Sequence, residues 1–462
     1  MTMRRHQFVL IIVLLLRSTW ATSAPAAEPI TIGLGIAQSG QLAANGKAAL
    51  AGMKIWEDDV NAKGNLLGRP AKLVYYDDQS NPANVPALYT KLLEVDKVDL
   101  IVSGYATNMI AAALPVAIQK KKLLIGLFGT AVNSEFHYPD YFSMNVNGPD
   151  AKRAVTAGLF DIAAAQTPRP QTVAILAVDA EFGRNASDGA RENANAKGFK
   201  IAYDRTYPPN TTDFSPIVRA VQAANPDIVV ICSYPLDSVG TLRTFSEIGF
   251  QPKLLGGAMV GLQSSNLKVQ LGPLLNGVVN YESWLPGKTM QFPGVLEFLS
   301  KYETRAVSQG TDPLGYNMPP WGYADLQILE EAIRATNSID DAKLAAYLHA
   351  NTMHTIVRNI AFGADGEWTE SRMLQVQYRN IHGNGLVQFT DMDNQVILTP
   401  AQFKTGETIY PMADARPQLA GPLGCHGRSK AIHGVLPAPN EFPGRLTRSL
   451  PRRDGSRIHW EE

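Results

Sequence analysis

The alternation of short apolar segments with longer amphipathic ones constrains the fold of this chain more than any other feature. Apolar runs that suit β-strands occur over residues 30–36, 72–76, 100–102 and 123–125, and helices are predicted between them over 48–61, 82–94 and 108–120. The first helix places four apolar residues on one face, at steps of four, three and four: Ala49, Met53, Trp56 and Val60. Strands separated by helices predict a mainly parallel sheet with helices on both faces.

The same alternation begins again after residue 150. Strands are predicted over 172–178, 199–203, 228–232 and 253–255, with helices over 184–197, 214–224 and 238–248. Residues 293–348 are mostly helical, including 323–335 and 341–348, and Asp340 with Asp341 suits a helix N-terminus. A late strand is predicted over 375–379. Two successive α/β units predict two lobes of similar architecture, and 462 residues exceed one ordinary core.

The first 27 residues have the pattern of a secretory signal peptide. Arg4, Arg5 and His6 precede a nine-residue apolar run over 8–16, and small residues follow over 21–27. A helix of nine residues spans about 14 Å, against roughly 30 Å of hydrocarbon, so a membrane anchor is disfavoured. Cleavage after Ala24 or Ala27 fits this pattern. We therefore expect an exported, periplasmic protein.

The last segment and the two cysteines carry weaker information. Residues 416–462 contain Pro and Gly without apolar periodicity and are locally basic, which predicts a disordered tail. Cys232 lies inside the apolar run 228–232, whereas Cys425 lies in that tail. We expect two unpaired thiols, of which Cys232 is buried in a strand, and no disulfide between them.

Charge and motifs disfavour several classes of function. The chain has 42 basic and 42 acidic residues, which argues against nucleic-acid binding. It contains no nucleophile elbow, zincin motif or phosphate loop, so we expect no enzyme activity, metal or cofactor. The run from Gly33 to Gly40 has Gln38 where a dinucleotide fingerprint needs glycine. Asp77 and Asp78 could form an acid–base pair, but carboxylates that order the loop after a strand are the favoured interpretation.

Polar loops follow several predicted strands at their carboxyl ends, where open α/β sheets bind ligands. They comprise residues 38–40 with Asn45, residues 104–108, and residues 128–130. Thr107 is predicted to be the N-cap of the next helix, whose free N–H groups would favour a carboxylate. Thr107 or Thr130 alone would suit a cap or a turn. Their occurrence at equivalent strand ends, without Lys or Arg, favours a site that holds an anion by dipoles.

Several short sequence motifs occur in an order that resembles that of a known protein family. They are Ser39-Gly40 with Gly46, residues 61–64 with 67–69, Asp77-Asp78 before Asn81-Pro82, Gly104 with Thr107 and Pro115, Phe182-Gly183, residues 212–215, Pro226-Asp227, and Phe362-Gly363 with Gly366. From residue 32 to about 411 the chain resembles the leucine/isoleucine/valine-binding branch of type I periplasmic binding proteins.

The resemblance implies two lobes joined by three crossovers, with residues 28–148 plus 285–360 in one lobe and 149–284 plus 361–415 in the other. It implies a monomeric solute receptor of an ABC-type importer, which closes on its ligand by a hinge motion and docks on a membrane permease. A ligand sensor of the same fold is the alternative function. Neighbouring transporter genes would distinguish the two.

The resemblance also implies which residues line the ligand site. In the first lobe these are Asn45, Thr107, Asn108, Phe128 and Thr130, and in the second they are Phe182, Tyr234 and the turn 257–259, which contains Ala258. In amino-acid binders of the family this turn often supplies an acid for the ligand ammonium, but residues 256–261 contain none. We therefore expect a small carboxylate, either an amino acid or an aromatic or aliphatic acid without an ammonium, with an amide or urea-like solute as the alternative. The aromatic residues Tyr105, Phe128, Phe182 and Tyr234 suit a ring, although core packing would also explain them.

Overall fold

Two separate β-sheets organise the computed structural model, which describes residues 27–415. The predicted tail, Cys425 and all but the last residue of the predicted signal peptide lie outside these residues. No helix within the described range is both long enough and apolar enough to cross a membrane.

The first sheet has five strands in the order β2-β1-β3-β4-β5, and all neighbours pair in parallel. The strands are β1 (Ile30–Gly35), β2 (Ala71–Tyr76), β3 (Leu100–Tyr105), β4 (Leu124–Leu127) and β5 (Tyr141–Ser143). The helices between them are α1 (Ala43–Ala62), α2 (Val85–Glu94), α3 (Thr107–Lys120) and α4 (Asn133–Phe136). We call this sheet and the helices packed on it the first lobe.

The second sheet has seven strands in the order β14-β13-β10-β9-β8-β6-β7. Its parallel strands are β6 (Thr172–Val178), β7 (Lys200–Tyr207), β8 (Ile228–Ser233), β9 (Leu254–Met259) and β10 (Val279–Glu282). The strands β13 (Leu374–Tyr378) and β14 (Gln395–Thr399) are added antiparallel. The helices are α5 (Ala151–Ala164), α6 (Glu181–Ala196), α7 (Ser215–Ala224), α8 (Pro235–Ile248) and α9 (Ser265–Leu271). This sheet and its helices form the second lobe.

The chain passes between the two lobes three times. It leaves the first sheet after β5, returns after β10, and crosses again into β13. The returning segment comprises α10 (Val295–Gln309), α11 (Met318–Thr336), α12 (Asp341–Ala350) and the pair β11 (Met353–His354) and β12 (Asn359–Ile360). Because α10 and α11 pack on α1, this segment completes the first lobe. The predicted α/β fold of two lobes is confirmed, and the exact residue bounds given for the lobes stay a prediction.

Most elements occur where the apolar pattern predicts them, including the buried Cys232 in β8. The Asp340 side chain caps α12 by accepting from the Lys343 N–H, as its position predicted. The pattern missed the strands β5, β10, β11, β12 and β14 and the helices α4, α5 and α9. The strand β5 has only three residues, and β10 buries Asn280 and Glu282, so neither shows a usable periodicity. Asn280 is instead stabilised by hydrogen bonds with both the N–H and the carbonyl of Met259 in the neighbouring strand.

The close packing of α1 on α11 depends on Gly52. A Cβ atom at residue 52 would lie 2.0 Å from the carbonyl oxygen of Pro319, in the first turn of α11. Only a hydrogen atom fits in this contact. Gly52 therefore fixes the start of α11 against the first lobe, close to the strand ends.

We predict that Gly52→Ala lowers the free energy of unfolding by about 1–3 kcal/mol, as for an overpacked core. Gly287→Ala is the matched control, because a Cβ atom there meets nothing within 4 Å, and it should change stability by less than about 0.5 kcal/mol. Urea unfolding of both variants measures the difference. Equal stability of the two variants would contradict the proposed contact.

Candidate functional site

The carboxyl ends of parallel strands from both lobes meet around a small cavity, which we call the inner cavity. Its volume is about 20 Å³, which is room for roughly one water molecule. It is lined by Tyr105, Ala106, Thr107, Phe128, Thr130, Asn145, Phe182, Tyr234, Val260, Gln263 and Tyr281. All of these residues are buried, and none of them carries a carboxylate, ammonium or guanidinium group.

Six of the nine residues predicted for the site line the inner cavity: Tyr105, Thr107, Phe128, Thr130, Phe182 and Tyr234. Sequence reasoning missed Asn145, Val260, Gln263 and Tyr281. Asn145 follows the short strand β5, Tyr281 lies in β10, and Val260 and Gln263 belong to a 3₁₀ turn after β9. Recognition of β5 and β10 as strands would have brought Asn145 and Tyr281 into the predicted site by the same strand-end argument.

The prediction that Thr107 is an N-cap is wrong. Ala106 occupies the N-cap of α3, with φ +96°, and Thr107 is the first residue inside the helix. The Thr107 hydroxyl accepts a hydrogen bond of 3.1 Å from the N–H of Thr130. It therefore joins the loops after β3 and β4 rather than capping its own helix, and an accepting hydroxyl can still donate its own proton.

Two residues at these strand ends have unusual backbone conformations. Ala106 has φ +96° and Phe128 has φ +60°, in the region that residues with a side chain rarely adopt. Such strain persists only where the surroundings impose it, and it is concentrated at functional sites. Ala106 and Phe128 lie next to Thr107 and close to Thr130, which are joined by a hydrogen bond. Their strained backbone therefore helps to set the positions of the two threonine hydroxyls.

Hydrogen bonds join the lobes next to the inner cavity. The Tyr234 hydroxyl donates to Oδ1 of Asn108 at 2.8 Å, and Nδ2 of Asn185, in α6, donates to the Thr130 carbonyl at 2.9 Å. The Tyr234 ring also lies 5.6 Å from the ring of Phe182. The second lobe therefore covers the polar strand ends of the first with aromatic rings.

Outside the inner cavity lies a larger groove of about 790 Å³ between the lobes, which we call the outer groove. Tyr234 lines both spaces, and the predicted residue Asn108 lines the outer groove only. The Tyr234–Asn108 hydrogen bond therefore stands between the two spaces. Burial raises the pKa of Tyr234 well above its ordinary value, so its hydroxyl is protonated and can donate.

The charged groups lie in the outer groove rather than in the inner cavity. They are Glu135 of the first lobe and Asp179, Glu181 and Arg184 of the second. Arg184 pairs with Asp179 at 2.9 Å. Burial, and next the negative charge of Glu135, raises the pKa of Glu181 to about 6, and Arg184 partly opposes this. Glu135 and Glu181 thus face the same groove from opposite lobes.

The remaining predicted residues lie away from the inner cavity. Asn45 lines a second, smaller cavity of about 10 Å³ and lies beside the Tyr105 hydroxyl. Ala258 is buried inside β9, paired with Cys232 of β8, and lines neither cavity. The structure therefore does not bring Ala258 together with the other predicted residues, and its role stays a prediction.

Asp77 and Asp78 order the loop after β2, which is the favoured interpretation of these carboxylates. Asp77 accepts from the Gln38 N–H at 2.8 Å and from the Ser39 hydroxyl at 2.7 Å. Asp78 accepts from the Ser80 N–H at 2.8 Å. The Asp77 bonds join the loops after β1 and β2, and the Asp78 bond orders the second of these loops at the rim of the outer groove, which Ser80 lines.

The fold and this site agree with what sequence comparison finds. A family model described as "Periplasmic binding protein" matches residues 29–383. The chain belongs to the periplasmic binding protein family. Its similarity extends to the Leu/Ile/Val-binding protein homolog 8 of Brucella abortus, with 24% identity over 364 residues that cover 74% of this chain and 86% of the relative. The leucine-, isoleucine-, valine-, threonine- and alanine-binding protein of Pseudomonas aeruginosa is 23% identical over 349 residues, covering 75% and 89% of the two chains.

Solved structures of similar fold include complexes with bound ligands. The branched-chain amino acid transporter substrate-binding protein of Streptococcus pneumoniae, in complex with isoleucine, has a TM-score of 0.66 and 17% identity, covering 81% of this chain and 100% of that one. A solute-binding protein of an ABC transporter from R. palustris, in complex with 4-hydroxybenzoate, has the same TM-score and identity, covering 83% and 98%. The family model confirms the predicted periplasmic binding protein family, and the solved structures share the predicted type I fold.

We predict that Glu181 makes the stability of this periplasmic binding protein depend on pH. Its pKa is about 6 in the fold against an ordinary 4.5, so the folded state binds more protons between these values. Stability should therefore fall as pH rises from 4.5 to about 6 and then level off. Glu181→Gln lacks this ionisation, so its melting temperature should exceed that of the natural chain by an amount that grows over this range.

Melting temperatures between pH 4.5 and 7.5 test this prediction. Glu303→Gln, at an exposed glutamate, is the control and should follow the natural chain. Parallel curves for Glu181→Gln and the natural chain would show that the charge facing Glu135 has no effect.

Proposed function

We propose that this protein is the solute receptor of an ABC-type importer and binds a small carboxylate between its two lobes. The observation that carries the proposal is the inner cavity, where hydroxyls and a helix N-terminus of one lobe face aromatic rings of the other. The relatives and the structural neighbours have names that describe amino-acid or solute binding. Receptors of this kind act outside the cytoplasm, which agrees with the predicted signal peptide.

The carboxylate would bind at the start of α3. The first N–H groups of a helix have no partner within it and carry partial positive charge, which favours an anion. The hydroxyls of Thr107 and Thr130 lie at the same place. Because none of the described residues that line the inner cavity is cationic, recognition would depend on dipoles rather than on an ion pair.

The rest of the ligand would contact the aromatic side of the cavity, formed by Phe128, Phe182, Tyr234 and Tyr281 among others. No carboxylate among the described lining residues is available to an ammonium group. This favours an aromatic or aliphatic acid over an α-amino acid. Neighbours in complex with 4-hydroxybenzoate and with 3,4-dihydroxybenzoic acid share this fold. Because the sequence relatives are named for binding branched-chain amino acids, these amino acids are also tested as ligands.

Binding would require the lobes to move apart and close again. Ligand pockets usually enclose about 300–1,000 Å³, whereas the inner cavity measures about 20 Å³. The hydrogen bonds Tyr234–Asn108 and Asn185–Thr130 form only when the lobes are together. Contacts made only in the closed form shift the equilibrium towards it when ligand binds. The closed protein, acting as a monomer, would then dock on the membrane permease.

We predict that Thr107→Ala and Thr130→Ala each weaken the best carboxylate ligand about tenfold or more, as for lost hydrogen bonds to a charged group. The ligand is found by a thermal-shift screen of amino acids, aromatic acids, aliphatic acids, amides and urea. A ligand at a hundred times its Kd should add about 2.7 kcal/mol of stability. Calorimetry then gives the Kd of each variant.

Two further variants separate binding from stability. Thr107→Ser keeps the hydroxyl and should retain most of the affinity, and Thr304→Ala, at an exposed threonine of α10, should bind as the natural chain does. Unchanged affinity in both Thr107→Ala and Thr130→Ala would contradict the assigned carboxylate site. The absence of any carboxylate among the hits would contradict the proposed function itself.

We predict that Tyr234→Phe speeds ligand release about two- to tenfold, because the closed form loses one neutral hydrogen bond. Stopped-flow dissociation measures this rate. Tyr75→Phe, at a tyrosine that is 40% exposed, is the control. An unchanged ligand dissociation rate in Tyr234→Phe would show that the Tyr234–Asn108 hydrogen bond does not stabilise the closed form.

A further inference from the structure

Three buried carboxamide side chains, Asn45, Gln263 and Asn317, lie together behind the inner cavity; we call them the carboxamide cluster. Their residues are 4%, 4% and 8% exposed. All three line the second cavity of about 10 Å³, and Gln263 also lines the inner cavity. The Gln263 side chain therefore separates the inner cavity from the second cavity.

The carboxamide cluster has hydrogen-bonding capacity that the described residues do not use. Nε2 of Gln263 and Oδ1 of Asn317 have no hydrogen-bond partner among residues 27–415, and Nδ2 of Asn45 has the Tyr105 hydroxyl beside it but outside hydrogen-bonding geometry. The one bond within the cluster runs from Nδ2 of Asn317 to Oε1 of Gln263, at 3.4 Å. Buried polar groups are nearly always paired, so two free donors and one free acceptor at one place indicate a further binding partner.

The cluster lies on the β1 side of the first sheet's strand ends, whereas the carboxylate-binding end of the inner cavity lies at β3 and β4. The first sheet has the order β1-β3-β4-β5 along this edge. Thr130 and Thr107 follow β4 and β3, whereas Asn45 belongs to α1, which follows β1. A ligand whose carboxylate is held at Thr107 and Thr130 would therefore point its other end towards Gln263 and Asn45.

The charges around the cluster restrict what this other end can be. Asp312 lines the second cavity, and its carboxylate is held by the N–H groups of Ser265 at 2.7 Å and Leu314 at 3.1 Å. A fixed negative charge disfavours a second carboxylate there. The N-terminal turns of α1 and α11 also border this cavity, and the positive ends of helix dipoles disfavour a cation. An uncharged hydrogen-bonding group satisfies both conditions.

We propose that the carboxamide cluster is a specificity subsite for a hydroxyl or carboxamide group at the far end of the carboxylate ligand. The inference rests on the proposed function, because it needs a carboxylate at Thr107 and Thr130 to set the direction of the ligand. The ligand class is then a small acid that carries an uncharged polar group opposite its carboxylate.

Isothermal titration calorimetry with matched probes tests the subsite. The pairs are benzoate against 4-hydroxybenzoate and hexanoate against 6-hydroxyhexanoate. Terephthalate and 4-(aminomethyl)benzoate replace the hydroxyl by an anion and a cation. We expect the hydroxylated acid of at least one pair to bind ten times more tightly than its parent, because a site with free hydrogen-bonding groups discriminates strongly against a ligand without them. Neither charged probe should bind more tightly than benzoate.

Variants then test whether the carboxamide cluster causes the preference for the hydroxylated acid. In Asn45→Leu and Gln263→Met, the ratio of the Kd of the parent acid to that of the hydroxylated acid should fall towards one. In Thr107→Ala, both acids should weaken together while the ratio is kept. Gln309→Met, at an exposed glutamine, is the matched control for both quantities. Melting curves establish that each variant is folded.

The failure of this inference differs from the failure of the proposed function. If no carboxylate binds the natural chain, the proposed function fails and the subsite fails with it. If carboxylates bind but the hydroxyl gives no gain in the natural chain, the subsite alone is wrong, and ordered water is the partner of the cluster. The same conclusion follows if the gain survives in both Asn45→Leu and Gln263→Met.

Discussion

Parallel strand pairing is the constraint on which the rest of this structure depends. In a parallel sheet all strands end at one edge, so the loops that follow β3, β4 and β5 meet there, as do those after β6, β8, β9 and β10. The two sheets present these edges to each other. A site assembled in this way takes a few residues from each of many strand ends, and no single segment of the chain contains it.

The loops at this edge are fixed by hydrogen bonds that connect them to one another rather than to their own helices. Thr107 accepts from Thr130, and Thr130 in turn accepts from Asn185 of the other lobe. In this arrangement Ala106 and Phe128 have strained backbone conformations that residues with side chains seldom adopt. Because the bond from Asn185 and the bond between Tyr234 and Asn108 join different lobes, the geometry of the first lobe's strand ends is coupled to closure.

Polarity changes in steps from solvent to the interior of the cleft. Glu135, Glu181 and Arg184 lie in the outer groove, the inner cavity is lined by hydroxyl, amide and aromatic groups, and the carboxamide cluster lies behind it. The ionised groups of the outer groove lie where water can solvate them, and Asp312 beside the carboxamide cluster accepts from backbone N–H groups, since an unpaired charge in a dry cavity is costly. The proposed ligand follows the same order, with its carboxylate at a helix N-terminus and its neutral end among amides.

Those parts of this protein that depend on local pattern follow from the amino-acid sequence. Apolar runs and helical faces located most strands and helices, and the polar residues at 105–108 and 128–130 identified the strand ends that line the inner cavity. The other parts depend on contacts between residues that are distant in the sequence. Thr107 looked like a cap because capping is a local motif, yet its hydroxyl bonds to Thr130, 23 residues away. Gln263 and Asn317 are 54 residues apart and meet only when the lobes assemble, and β5 and β10 are too short to show a period. Periodicity records which face of an element is buried, but it carries no information about which distant residue lies opposite.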